Sequence, residues 1–229
     1  MALKTTIILV RHCEAQGNHE RIFQGATDCD ITERGQRQLA ALSERFQTVS
    51  FDALYSSPLR RARRTAEAVN RYHGLPMQVE SGLREINAGH WEGKRWADFP
   101  TLYPEEARDW NLAPWNFAPE GGETMREVFA RMVNAVSGIV QKERGRTVAV
   151  VSHGCAIRNL LCYAHGWPIE RLNEVEWCDN TAVSVLEFEQ DGSVTVVLEN
   201  DASHLNEDLS TFARQEWWKK ENREQLKFG

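Results

Sequence analysis

Two histidines that follow apolar, β-rich runs are the residues best placed to do chemistry. His12 comes directly after Thr5–Val10, between Arg11 and Cys13, and His153 comes after Arg146–Val151, between Ser152 and Gly154. An imidazole can act as nucleophile, acid or base near neutrality. Arg61 lies one turn into the helix expected after Ser57-Pro58. A guanidinium fork matches the oxygens of a phosphate, and a helix N-terminus adds positive potential. Arg61 also belongs to the cluster Arg60, Arg61, Arg63, Arg64, most of which a surface helix would leave in water. Glu85, in Leu83-Arg84-Glu85-Ile86, is either a surface carboxylate paired with Arg84 or a general acid beside a leaving group. Together these types suit the capture of an anion next to a nucleophile and a proton donor.

The elements that must bring them together alternate between strand and helix. Thr5–Val10 and Arg146–Val151 are continuous apolar runs, as expected of strands covered on both faces. Ala53–Ser56 is a third, shorter strand. Thr32 can cap a helix to about Gln47 with Leu39, Leu42 and Phe46 on one face. Ser57 is the expected cap of the next helix, with Pro58 at its first position, running through Ala62, Ala66 and Val69 and stopping by His73-Gly74. Thr124 and Glu127 form a capping box that opens a long helix striped by Val128, Met132, Val136, Ile139 and Val140. A helix over about Ala156–Ala164 follows the later histidine. Thr181–Glu187 and Ser193–Leu198 flank Asp191-Gly192 as a hairpin. Arg214–Lys227 reads as a surface helix. This order predicts an α/β fold: a three-layer α/β/α sandwich around a mostly parallel open sheet. Ligands on such sheets sit beyond the carboxyl ends of the strands, where His12 and His153 both fall.

Composition sets the outer bounds. The 229 residues carry 27 Lys+Arg against 33 Asp+Glu, a net charge of −6, with 41% apolar residues. That length buries roughly 70% of the unfolded surface without a metal or disulfide staple, and we take 1–229 as one domain. The negative balance argues against nucleic acid as the partner, because phosphate backbones demand clustered positive charge. Cys13, Cys29, Cys155, Cys162 and Cys178 are odd in number and irregular in spacing, as expected of free thiols in a reducing cytoplasm. Ile7–Val10 is too short for a secretory core or a membrane span. A zinc site from His12, Cys13, His153 and Cys155 is disfavoured, since Arg11 and Arg61 would repel a dication.

These residues resemble a family. Arg11-His12-Cys13-Glu14 is similar to the Arg-His-Gly-Glu signature of the histidine phosphatase superfamily, in its phosphoglycerate-mutase-like branch. The likeness continues through Asn18, Arg21-Ile22-Phe23-Gln24-Gly25, Ile31-Thr32-Glu33-Arg34-Gly35 and Ser56-Ser57-Pro58-Leu59-Arg60-Arg61-Ala62. It ends with Leu83-Arg84-Glu85-Ile86, Trp91-Glu92-Gly93, Gly121-Gly122-Glu123-Thr124 and Val151-Ser152-His153-Gly154, all in the family's order. The resemblance implies that His12 becomes a phosphohistidine and that Arg11, Arg61 and His153 complete the phosphate pocket. It also implies that Asn18 bonds a phosphate oxygen, that Glu85 donates the proton, and that Gln24 and Gly25 lie in the substrate loop. It implies a small phosphorylated metabolite as substrate and neither cofactor nor metal.

Cys13 departs from the family, which has glycine there. Its Cβ is expected either to crowd the phosphate or to pack as a small buried apolar residue, and its thiol beside cations is a candidate for easy oxidation. Residues 94–120 and those past about 200 lie outside the likeness. The stretch 88–120, with Trp91, Trp96, Trp110, Trp115 and four prolines, reads as an insertion of short helices and loops over the active site. Its variable part carries Lys94, Arg95 and Arg108 against Asp98, Glu105, Glu106, Asp109 and Glu120. A mutase must hold a highly anionic ligand and exclude water, which calls for cations over the pocket. This acidic, aromatic roof suits a bulky leaving group, so hydrolysis is the expected reaction. Phosphoglycerate mutase and a non-catalytic phosphate binder are the alternatives. Trp217-Trp218 are candidates to cover a second copy of the chain.

Overall fold

The computed structural model describes residues 4–225. In chain order it contains β1 (Thr5–Arg11), α1 (Gln16–Glu20), α2 (Glu33–Phe46), β2 (Ala53–Ser56), α3 (Arg60–Val69), β3 (Met77–Val79), α4 (Phe99–Leu102), α5 (Pro104–Leu112), α6 (Met125–Lys142), β4 (Thr147–Ser152), α7 (Gly154–Ala164), β5 (Val183–Phe188), β6 (Val194–Asp201) and α8 (Lys220–Glu224). Short 3₁₀ turns fill the connections, several of them within 89–116. The strands form one sheet in the order β3-β2-β4-β1-β5-β6. β1, β2, β3 and β4 are parallel, and the β5–β6 hairpin joins the edge of β1 antiparallel.

Alternation along the strands builds two cores. Ile8 and Val10 of β1 pack with Leu54, Ala149 and Val151 against Leu42 and Phe46 of α2 and Ala62, Ala66 and Val69 of α3. Ile7 and Leu9 face the other way with Val148 and Val150, against α6 and α7 and the aromatic residues of 91–117. Both faces are therefore covered, which is why the strands read as unbroken apolar runs. The three-layer arrangement agrees with the sequence reading.

Local chemistry sets the ends of the elements. Thr32 accepts a hydrogen bond from Gly35 N–H at 3.0 Å, and Thr124 and Glu127 form the reciprocal capping box that starts α6. Ser57 does not cap α3, whose first residue is Arg60. Asp28, arriving from a distant loop, accepts the Arg60 N–H at 2.7 Å instead. Two elements escape the sequence reading: α1, short and polar, and β3, three residues long. The tail helix is confined to Lys220–Glu224, while 226–227 lie outside the described residues.

The β1–β4 register pairs Arg11 with Ser152 and so delivers the two histidines side by side. Met132 on α6 is fully buried at the centre of one core. Replacing it with Ala removes three side-chain atoms and leaves a cavity. The expected loss of unfolding free energy in urea is about 2–5 kcal/mol, with the native spectrum retained.

Candidate active site

His12 and His153 follow directly on β1 and β4, with ring centroids 5.0 Å apart. Their backbones are joined by a hydrogen bond from His12 N–H to Ser152 O at 3.0 Å. His12 Nδ1 lies 2.6 Å from Cys13 O. A carbonyl can only accept, so Nδ1 carries the proton and Nε2 keeps its lone pair. Burial, then the guanidinium groups of Arg61 and Arg11, hold the His12 pKa well below the usual imidazole value, against a smaller opposing effect of the Cys13 carbonyl. Burial and the same cations, with His12, do likewise to His153. His153 Nε2 shares a 2.7 Å hydrogen bond with Ser57 Oγ, the hydroxyl that the sequence reading had assigned to a helix cap.

Arg11 and Arg61 are 5% and 0% exposed. Neither forms an ion pair among the described residues. Arg11 donates to Cys178 O. Arg61 donates to Thr27 O at 2.8 Å, Gly25 O at 2.8 Å and Gln24 O at 3.2 Å. Arg11 Nε, Arg61 Nε and His153 Nδ1 are buried with no hydrogen-bond partner among the described residues. A cluster of buried, unsatisfied nitrogens with net positive charge is the signature of an anion site.

Glu85 is not paired with Arg84. Its two oxygens accept the N–H groups of Ala156 and Cys155, each at 3.1 Å, in the first turn of α7, and one also accepts Ile86 N–H at 3.0 Å. Arg131 holds the loop behind it by donating to Gly82 O at 2.8 Å and Arg84 O at 2.9 Å, while its Nε meets Glu123 at 2.8 Å. Asn18 Oδ1 accepts Gln24 Nε2 at 3.2 Å, and Gln24 Oε1 accepts Gly17 N–H at 3.1 Å. At Gly25 a Cβ would lie 1.9 Å from Ile86 O, so this close approach of two loops requires glycine. At Gly154 a Cβ would stand 3.2 Å from Arg11 Nε and 3.5 Å from Trp177. Arg11, His12, Asn18, Gln24, Glu85 and Gly154 all line one pocket. Arg61, His153 and Gly25 stand directly behind its wall.

Cys13 is fully buried and donates its N–H to Thr65 Oγ1 at 3.0 Å. Its sulfur faces Gly35, and burial pushes the thiol up to about 12. It therefore packs as a small apolar residue and does not crowd the pocket. Cys155 Sγ turns to Met125 at 3.5 Å, so neither sulfur joins the two imidazoles. All five cysteines are free. No helix among the described residues is long and apolar enough to cross a membrane.

Several contributors were not singled out from the sequence. The Glu92 carboxylate gathers the N–H groups of Gly25, Ala26 and Thr27 at 2.9–3.1 Å and thereby holds the 24–27 loop. Its Trp91-Glu92-Gly93 block was visible, but not its target. Trp177, Trp217 and Arg21 join Trp96 and Trp110 in the pocket wall. In the insertion, Trp91 stacks on Phe99 at 3.7 Å in the core. Some insertion tryptophans thus anchor it, and others face the pocket. Trp217, expected to face a second copy, packs within the chain, and Trp218 stacks on Phe212 at 4.7 Å.

Residues 7–201 match the histidine phosphatase superfamily (branch 1). The chain belongs to that family. Phosphoserine phosphatase 1 of Hydrogenobacter thermophilus is 32% identical over 204 residues, covering 88% of this chain and 94% of the relative. A probable phosphoglycerate mutase GpmB of Klebsiella pneumoniae is 32% identical over 87% of this chain and 94% of its own length. Among solved structures, Bacillus stearothermophilus YhfR superposes with a TM-score of 0.84 at 34% identity, over 88% of this chain and all of that one. Family and relatives together support phosphatase activity.

The buried neutral imidazoles have a consequence for acid stability. Their folded pKa values lie below the unfolded value of about 6.5, so the unfolded chain binds more protons as pH falls. Their contribution to stability is therefore present above about pH 6.5 and is lost below it, by about 1 kcal/mol for each group between pH 6.5 and 5.5. Urea unfolding across that range should show this loss. Imidazole NMR signals of His12 and His153 should stay in the neutral position throughout.

Proposed function

We propose that this chain is a phosphomonoester hydrolase that acts on a small phosphorylated metabolite through a phosphohistidine at His12. The observation that carries the reading is the His12 imidazole, neutral and tautomerically fixed by Cys13 O, beside two buried guanidinium groups without carboxylate partners. Nε2 attacks phosphorus, the Nε2–P bond forms, and the P–O bond to the leaving group breaks. Arg11, Arg61 and His153 stabilise the charge spread over the non-bridging oxygens. Glu85, at the mouth of α7, gives a proton to the departing oxygen. Water then attacks phosphorus, Glu85 takes its proton, the P–N bond breaks, and inorganic phosphate leaves. Splitting one displacement into two is the gain of the covalent step. Asn18 bonds a phosphate oxygen, and Gln24 and Gly25 shape the substrate loop.

One domain over 1–229 carries this site, and 88–120 overhangs it. Free cysteines and the acidic balance fit a cytoplasmic enzyme without a nucleic-acid partner. The mutase reading, which one relative's name suggests, is disfavoured by the roof. The insertion presents Trp96 and Trp110 to the pocket, while Lys94 is turned to His90 O. A non-catalytic role is disfavoured because nucleophile, cations and carboxyl are all in place.

The test is a labelled ester, an alkaline quench that preserves P–N bonds, and a count of label on the protein. Label should appear in the wild type during turnover and vanish with His12→Ala, together with phosphate release. Turnover without protein-bound label sinks the reading. Glu85→Gln is expected to slow esters with poor leaving groups by ~10²–10⁴ and to slow a nitrophenyl ester far less. An equal effect on both would remove Glu85 from the proton step.

A further inference from the structure

The segment after the β-sheet lies beyond the family match at 7–201, yet it is bonded into the site at three places. Leu209 O accepts Gln38 Nε2 at 2.8 Å. Asp179 then accepts Ser210 Oγ at 2.6 Å and Thr211 N–H at 3.1 Å. Thr211 Oγ1 donates to Asn180 Oδ1 at 2.9 Å, and Asn180 Nδ2 donates to His12 O at 2.9 Å. Two hydrogen bonds thus separate the segment from the backbone of the nucleophile. Farther on, Gln215 donates to Asn18 O at 3.1 Å and accepts from Arg21 Nη1 at 3.3 Å and Trp217 Nε1 at 2.8 Å.

Those bonds fix the orientation of one indole. Trp217 stands nearly parallel to Trp96, at 14° and 6.5 Å between centroids, and edge-on to Trp177 at 5.2 Å. The separation of the parallel pair approaches the roughly 7 Å that two ring-to-ring contacts of about 3.5 Å require. The Arg21 guanidinium lies 5.8 Å from the centre of the Trp96 ring and 5.4 Å from that of Trp217, a cation set against π faces. All four residues line the pocket that contains His12 and Glu85. A small polar alcohol would leave these indole faces uncovered, whereas a flat ring would meet them face-on.

We propose that residues 209–218 form a strap that completes the site, and that Trp217, facing Trp96, makes this enzyme select phosphate esters whose leaving group carries a flat aromatic ring. The phosphate end of such a ligand rests on the reading of His12, Arg11 and Arg61 given above. Gln215 is a positioning residue: it holds the Trp217 ring and does not itself meet the phosphate.

Calorimetric titration of the full chain with two non-hydrolysable ligands, phenylphosphonate and methylphosphonate, tests this without turnover. The wild type should bind phenylphosphonate at least tenfold more tightly. Trp217→Leu, which keeps apolar bulk but no ring, should cut that preference by about tenfold. Trp217→Phe should keep most of it, and Gln215→Ala should give a smaller loss than Trp217→Leu. Equal weakening of both ligands by Trp217→Leu would mean that the strap is only structural, and would overturn the proposal. Equal affinity of the wild type for the two ligands would overturn the proposal while leaving the phosphatase reading intact. Failure to bind either would bring down the phosphate pocket, and the proposal with it.

Discussion

The protein buries two permanent positive charges beside an imidazole without giving either a carboxylate partner, and the remainder of the site follows from that. Taking a guanidinium out of water costs several kcal/mol unless hydrogen bonds replace the lost hydration. Here the replacements are main-chain carbonyls: Cys178 O for Arg11 and the 24–27 loop for Arg61. Carbonyl dipoles solvate the cations without cancelling their charge. The surplus field keeps both histidines uncharged and leaves the pocket with an affinity for a multiply charged anion. A carboxylate at the same distance would have stabilised the apo protein more and disabled the site.

The scaffold meets this demand with few parts. Parallel strands bring Arg11–His12 and Ser152–His153 to the same height, and α7 begins at once, so that its first N–H groups face Glu85. Glycine occurs where backbones or cations must approach closely: Gly25 against Ile86 O and Gly154 against Arg11. Each is a position where one methyl group would move a charge or a loop.

Much of this was readable from residue order, and the failures have physical causes. Capping by Thr32 and Thr124 was legible because the partners are three residues away. Ser57 carried the same local signature, but His153, brought in by the sheet, claims its hydroxyl and Asp28 takes over the helix N-terminus. Glu85 beside Arg84 looked like a pair, yet adjacent side chains diverge, and its partners are 70 and 71 positions away. Arg61 could be separated from its neighbours only by the motif around it, since four arginines on one helix look alike. Strand β3 is too short to show a period. Trp217 announced an apolar surface but not which one, because the direction of an indole depends on contacts with Asn18 and Arg21 that only the folded chain supplies.

The 24–27 loop has a property that its exposure hides. Its carbonyls point at a guanidinium and its N–H groups at the Glu92 carboxylate. The peptide planes thus lie aligned like a dielectric between the plates of a charged capacitor. Turning one plane would set its dipole against both plates at once, so the planes resist independent rotation. Ala26 and Thr27 are on the surface, yet their amide hydrogens should trade with deuterium from solvent as slowly as those of buried segments. Water can reach this loop without loosening it, and so the site faces its ligand with a wall that is already set.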